Sequence, residues 1–429
     1  MTISTMFSEF LNNLALDNAD EISYRYGEVT ASLNKKFRDM ESKAANSLQV
    51  GSIGRKTAIK GVSDLDMLYI MPKGMWADYK DGKQYKLLSD TKDAIKTRYP
   101  STEVFVDRLV VCVQYTNFHI EVQPVFEEDD DSFKYPDTYG DGSWKITKPR
   151  EEIEAMSEFN IQKNNNLQRL CKMARAWKNK HGVGMGGLLI DTLAYNFLKS
   201  ITDYDDTNYG YYDVMSRDFF AYLMDQPDQD YYAALGSNQR VRVKKKFQRK
   251  AKKAHELCVK AIEVDKQDIA YDKWKKVYGR PFPNRPATSK DVAAASQLNW
   301  RNTEQFIEDK FAIDVRYNMT IDCDISQHGF RESSLSDFLR KQFRLAPKKD
   351  LKFYIKEHDI KGDYSIYWKV LNRGEVAKKR DMIRGQIFPD SGLEKKIEST
   401  DFRGEHIVEC YAVKNGVVIA KDRIEVPIE

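Results

Sequence analysis

The stretch that most restricts the fold of this chain is Gly51 to Asp66, GSIGRKTAIKGVSDLD. Leu48-Gln49-Val50 reads as a short strand entering Gly51. Ser52 to Ile59 predicts a helical turn with Ser52 near its N-terminus. Unbonded N–H groups and the helix dipole there favour an anion such as a phosphate. A glycine at 51 lets the backbone come close to that phosphate. Asp64 to Ile70 is apolar apart from its carboxylates, which is the pattern of a buried strand. Side chains alternate along a strand, so Asp64 and Asp66 share one face while Leu65 points to the core. Two carboxylates on one face repel each other unless a cation lies between them. Hard divalent ions such as Mg2+ take oxygen ligands of this kind together with phosphates. An isolated Asp-x-Asp would read as solvated surface acids. A Gly-Ser start, eleven intervening residues and an apolar strand make it a candidate site for metal-dependent transfer of a nucleotidyl group.

Gly-Ser, a helical turn, then Asp-x-Asp on a strand resembles the DNA polymerase β-type nucleotidyltransferase superfamily. The resemblance implies a third carboxylate on a neighbouring strand, close before a proline. Phe118-His119-Ile120-Glu121-Val122-Gln123-Pro124 fits. Phe118, Ile120 and Val122 share one face; His119, Glu121 and Gln123 share the other. Glu121 is then the third metal ligand, with Glu standing where many relatives have Asp. Two Mg2+ ions, or Mn2+ in their place, are the cofactors implied.

A chain of 429 residues holds two or three domains. Its net charge is only +4 on a heavily charged surface, which predicts no general affinity for polyanions. Cys112, Cys171, Cys258, Cys323 and Cys410 lie far apart, without CxxC or Cys/His ligand spacing. That argues against both zinc and a disulfide framework. The segment MTISTMFSEFLNNLALD lacks the basic-then-apolar layout of a signal peptide, and no stretch approaches a membrane span. The expectation is a cytosolic protein without membrane or nucleic-acid partners.

Periodicity predicts helix over residues 5–45, the second half backing the site, and strands at Val50, 64–71, 102–106, 109–115 and 118–125. The run EEDDD at 127–131 reads as a solvated loop, and DTYGDG at 137–142 as a turn. A helical lobe begins near 151. In it, Leu167, Leu170, Cys171, Ala174 and Trp177 line one face of NLQRLCKMARAWKNK, while Lys172, Arg175 and Lys178 lie three apart on another. On spacing alone, a solvated basic face explains those cations as well as phosphate binding does. The tyrosines of 204–232 read mainly as packing, and 238–263 predicts one long helix with a solvated basic face. After 300 the pattern changes to short alternating strands at 313–325, 351–357, 364–371, 406–413 and 416–426. Lys414-Asn415-Gly416 among them carries a two-residue hairpin signal.

Residues 1–283 resemble the CD-NTases, bacterial relatives of cyclic GMP-AMP synthase. Residues 301–429 resemble the adenylyl/guanylyl and SMODS C-terminal sensor domain, marked by Thr303–Asp309, 368–374, Arg384-Gly385 and Gly404–Cys410. The fold class implied is α+β. It comprises a polymerase β-like nucleotidyltransferase core (1–150), a helical lobe (151–283), a linker (284–300) and a β-sandwich (301–429). The resemblance assigns nucleotide binding to Gly51, Ser52, Lys172 and Arg175. It also assigns the backbone N–H of Gly187, which stands where relatives have a serine. The implied activity is synthesis of an adenine-containing cyclic di- or trinucleotide from ribonucleoside triphosphates, ATP among them. The product would activate a separate effector in CBASS anti-phage signalling, and the sandwich would regulate rather than catalyse. The rival readings are an RNA- or protein-directed nucleotidyltransferase and a nucleotide sensor without turnover.

Overall fold

The computed structural model describes residues 2–116, 118–264, 267–286, 303–327, 330–373, 375–379, 384–400 and 404–428. The chain forms two compact units: Met1–Lys180 with Met185–Pro283, and His181–Gly184 with Asn284–Glu429. The linker expected at 284–300 falls mostly outside the described residues.

The first unit opens with helices α1 (Ile3–Asn13) and α2 (Ala19–Arg38). Asp39 takes a left-handed conformation at φ +49° and stops α2, so the helix predicted through residue 45 ends early. A sheet follows, built from β1 (Ser47–Gln49), the one-turn helix α3 (Gly51–Gly54) and β2 (Asp64–Ile70). The short helix α4 (Trp76–Tyr79) and α5 (Gln84–Arg98) lead to β3 (Glu103–Asp107), β4 (Val110–Gln114) and β5 (His119–Glu127). The order is β1-β2-β5-β4-β3, with β6 (Phe133–Asp137) pairing with β5 and with β7 (Ser143–Thr147). On one face, Leu65, Met67, Ile120 and Val122 pack against Val29 and Leu33 of α2 and Leu87 and Ile95 of α5. Alternation then sends Asp64, Asp66 and Glu121 to the opposite face, with Asp66 beside the turn at Gly51.

Helices α6 (Pro149–Gln162), α7 (Asn166–His181), α8 (Gly187–Ser200) and α9 (Tyr212–Met224) make the lobe. After them the predicted long helix at 238–263 is corrected. Its first residues form β9 (Arg240–Arg242), which pairs in a hairpin with the preceding β8 (Tyr231–Ala233), and only Gln248–Ile262 is helical, as α10. Arg240-Val241-Arg242-Val243 alternates with period two, and Gly236 takes φ +69° in the turn, so strand pairing wins there. Helix α11 (Gln267–Tyr278) closes the unit. Trp274 and Phe282 meet Phe7 at ring distances of 5.1 and 5.4 Å, so α1 is held by the far end of the same unit.

The second unit is a β-sandwich. One sheet has β10 (Ala312–Ile313), β18 (Val417–Ile428), β17 (Gly404–Lys414), β14 (Ser365–Arg373) and β15 (Ile387–Pro389) in that order. The other has β12 (Phe330–Ser334), β11 (Met319–Gln327), β13 (Asp350–His358) and β16 (Lys395–Ser399). Ile321, Cys323 and Phe353 of one sheet share a core with Trp368, Val408, Cys410 and Ile424 of the other. Asn415 and Gly416 take φ +51° and +74°, the two positive values of a type I′ turn, and join β17 to β18. The segments that mark the C-terminal resemblance converge. Lys369 pairs with Glu304 at 3.0 Å, Gln305 N–H reaches Gly385 O at 2.9 Å, and Asn372 Oδ1 lies 3.0 Å from His406 Nδ1. Among the described residues no helix is long and apolar enough to cross a membrane.

Candidate functional site

The parallel pairing of β2 with β5 sets Asp64 opposite His119 and Asp66 opposite Glu121. Asp64, Asp66 and Glu121 each bring one carboxylate oxygen within 4.8 Å of the others, and all three are partly exposed. Two unit charges about 4 Å apart repel by roughly 4 kcal/mol at an effective dielectric of about 20. Such crowding of hard oxygen donors suits one or two divalent cations. The three carboxylates expected on one strand face do lie together.

Beside the carboxylates stands the turn that begins at Gly51. Val50 N–H bonds Asp66 O at 3.0 Å, which holds the entry of the turn to the middle of β2. Gly51 takes φ +62°, and a Cβ placed on it would lie 1.9 Å from Asp66 Oδ2. Only glycine lets the turn sit this close to the carboxylate. The helical turn expected over Ser52 to Ile59 is shorter than predicted: α3 is a single turn, Gly51–Gly54. Thr57 N–H and Ala58 N–H both fold back to Ser52 O, at 2.9 and 3.1 Å, because two glycines and the following turn favour a tight reversal over a longer helix. One turn carries little macrodipole, so a phosphate cradle here would draw on Gly51 and Ser52 rather than on a helix end.

Sequence reasoning put His119 on the carboxylate face without giving it a task. Its Nε2 lies 3.1 Å from Glu121 Oε1, and the ring is buried. Its Nδ1 has no hydrogen-bond partner among the described residues. The imidazole therefore braces the longer side chain of Glu121 at one oxygen. The i, i+2 spacing on a strand was the available signal.

The basic face predicted on α7 is corrected. Arg175 and Lys178 are only 5% and 3% exposed, because α7 runs through the interior of the lobe. Arg175 donates to both oxygens of Asp191, at 2.6 and 3.0 Å, and to Gly187 O at 3.2 Å. Its guanidinium fork is thereby engaged by protein acceptors. Arg55 joins from the cradle: its Nε reaches the same Asp191 at 2.9 Å and its Nη1 reaches Glu152 at 3.2 Å. Burial pushes the Asp191 carboxyl up, but Arg175 and Arg55 overcome this and hold it below the usual range. Burial pushes Glu152 up, opposed in part by Arg55. Neither Asp191 nor Glu152 was singled out from sequence, since nothing local shows that residues 136 positions apart meet.

Lys172, one turn before Arg175, is half-buried, and no carboxylate pairs with it among the described residues. Burial lowers its pKa, and Arg175 and Arg169 lower it further. A phosphate would relieve both penalties. Gly187 opens α8, where first-turn N–H groups have no acceptor within the helix. Of the residues named from sequence, Gly51 and Ser52 adjoin the carboxylates, while Arg175 and Gly187 meet around Asp191. The acidic run at 127–131 is engaged with bases: Arg150 on Glu127, Lys134 on Glu128 and Lys73 on Asp129. All five cysteines are buried and free.

Two family models match the chain. Residues 1–160 match the Second Messenger Oligonucleotide or Dinucleotide Synthetase (SMODS) domain, and residues 301–429 match the Adenylyl/Guanylyl and SMODS C-terminal sensor domain. Among solved structures, the CdnC:HORMA-deltaN complex of E. coli MS115-1 is similar, with a TM-score of 0.52 at 14% identity. The match covers 66% of this chain and 98% of that one. CdnC with ATP from the same source gives a TM-score of 0.50 at 15% identity, over 66% and 99% of the two chains. At such identities the likeness is one of fold. No curated protein matches the sequence. Strand–turn–strand geometry around Gly51 and the two family matches, at either end of the sequence, lead to one conclusion: the chain belongs to the CD-NTases and carries an Adenylyl/Guanylyl and SMODS C-terminal sensor domain.

Proposed function

We propose that this protein is a metal-dependent synthase that joins ribonucleoside triphosphates, ATP among them, into a cyclic di- or trinucleotide. The product is a second messenger read by a separate effector in anti-phage defence. The observation that carries the reading is the meeting of Asp64, Asp66 and Glu121 within 4.8 Å, beside Gly51, where any Cβ would collide with Asp66. The SMODS match supports a nucleotide product, and the ATP complex of the similar CdnC fold makes ATP the first substrate to try.

In this reading Asp64, Asp66 and Glu121 hold two Mg2+ ions. When bound, these supply charge stabilisation at the attacking and leaving oxygens of an in-line displacement. A ribose hydroxyl oxygen bonds to the α-phosphorus of a second triphosphate, the α–β anhydride bond breaks, and pyrophosphate leaves. Glu121, braced by His119, accepts the hydroxyl proton. Ser52 and Lys172 hold the triphosphate, joined by the N–H of Gly187. Arg175 acts from behind, through Gly187 and Asp191. A repeat of the step with the other ends closes the ring. The sandwich serves regulation: among the described residues the acidic cluster that could hold an ion lies in the first unit.

The test is incubation of the full chain with the four NTPs and Mg2+, followed by mass spectrometry. A product with the mass of a dehydrated di- or trinucleotide ring supports the reading. Labelled RNA or labelled protein as the only product would replace it with a polymer-directed transferase, and unconsumed NTPs with Mg2+ or Mn2+ would overturn it.

A further inference from the structure

We propose that Arg55, with Asp191 and Glu152, is a positioning clamp: it fixes the turn bearing Ser52 against α7 so that Ser52 and Lys172 engage one triphosphate. The inference rests on the proposed function and adds the device that aligns its two phosphate-holding elements.

The turn cannot hold itself. It is one helical turn bounded by Gly51 and Gly54, and glycine loses the most freedom on ordering. Arg55 follows at once, and its N–H bonds Gly51 O at 3.2 Å, so guanidinium and cradle move as one piece. Four ties then run from this piece to three helices. Arg55 Nη1 meets Glu152 of α6 at 3.2 Å, and Gln168 Nε2 of α7 donates to Arg55 O at 3.1 Å. Arg55 Nε and Thr57 Oγ1 meet Asp191 of α8 at 2.9 and 3.1 Å. The side chains of Arg55, Glu152 and Asp191 are 5%, 7% and 0% exposed. Ser237 Oγ adds a donor to Glu152 at 3.1 Å.

Burial of four charges is a poor way to gain stability, since desolvation consumes most of the attraction and apolar replacements are often no worse. Directional hydrogen bonds, by contrast, fix orientation. Asp191 also receives Arg175, so the turn before Arg175, which carries Lys172, is referred to the same carboxylate as the cradle. Two guanidinium groups and two carboxylates balance within the cluster. Lys172 is thus left without a carboxylate and directed to an exogenous anion.

The experiment is a double-mutant cycle on the full chain with Arg55→Met and Lys172→Ala. It reads the apparent KM for ATP and the affinity for α,β-methylene-ATP by calorimetry, with the melting temperature recorded. Lys172→Ala should raise KM about tenfold in the wild-type background and less than about twofold beside Arg55→Met, because contacting or coupled groups are non-additive. A purely structural Arg55 would lower the melting temperature and leave the Lys172 factor equal in both backgrounds, and that result overturns the clamp. So does a Lys172→Ala protein with unchanged KM and affinity. If Arg55→Met does not fold, Arg55→Lys or Glu152→Gln takes its place in the same cycle. Wild-type protein that neither binds nor consumes any nucleotide would overturn the proposed function itself, a result distinct from equal factors.

Discussion

Replacing Gly51 with Ala tests the site at its tightest point. The new Cβ would lie 1.9 Å from Asp66 Oδ2, where ordinary contact begins at 3.4 Å. The carboxylate oxygen must therefore retreat by about 1.5 Å (3.4 − 1.9), or the turn must move by as much. A misplacement of about 1 Å at a reacting centre costs on the order of 100-fold in rate. The backbone at φ +62° adds about 1–2 kcal/mol of strain for any residue with a Cβ. In a unit of this size that lowers the melting temperature by roughly 2–8 °C. The expected result is a folded protein whose pyrophosphate release from ATP with Mg2+ falls at least about 100-fold. The assay is coupled phosphate detection, paired with differential scanning fluorimetry. Turnover within a factor of a few of wild type would refute the reasoning, since Asp66 would then need no fixed place.

Asp64→Asn with Asp66→Asn should abolish NTP consumption and leave the melting temperature in metal-free buffer roughly intact, because Asn keeps the shape and an acceptor oxygen while removing like charge; a large loss of stability would mean that the charges themselves hold the fold. Lys172→Ala should raise the ATP KM with little change in stability. Arg175→Ala should cost roughly 3–5 kcal/mol in urea unfolding, since it strips a buried partner from Asp191. Equal stability of the two variants would return Arg175 to a phosphate-facing position. In the sandwich, Lys369→Ala should speed amide hydrogen exchange in 303–309, because Lys369 holds Glu304 at 3.0 Å and is buried; unchanged exchange would show that backbone pairing alone holds that segment.

What the sequence determined by itself is what depends on near neighbours along the chain. Strand parity alone put Asp64, Asp66 and Glu121 on one face and Leu65, Ile120 and Val122 on the other, and the structure has that division. Positive φ at Asn415 and Gly416 follows from their residue types, and the β17–β18 hairpin follows from that. The same local logic overran where context competes. It extended one helix through 238–263, where a hairpin precedes α10, and it passed over β12, β15 and β16, whose short patterns acquire meaning only beside a partner strand. Tertiary structure alone decided the rest. Spacing on α7 placed Arg175 with Lys172, but whether a helical cation faces solvent, phosphate or a buried carboxylate depends on what packs there. Asp191 lies on another helix, and Arg55 arrives from across the chain. A charge in the interior must find its partner wherever the fold supplies it, and no sequence interval encodes that meeting.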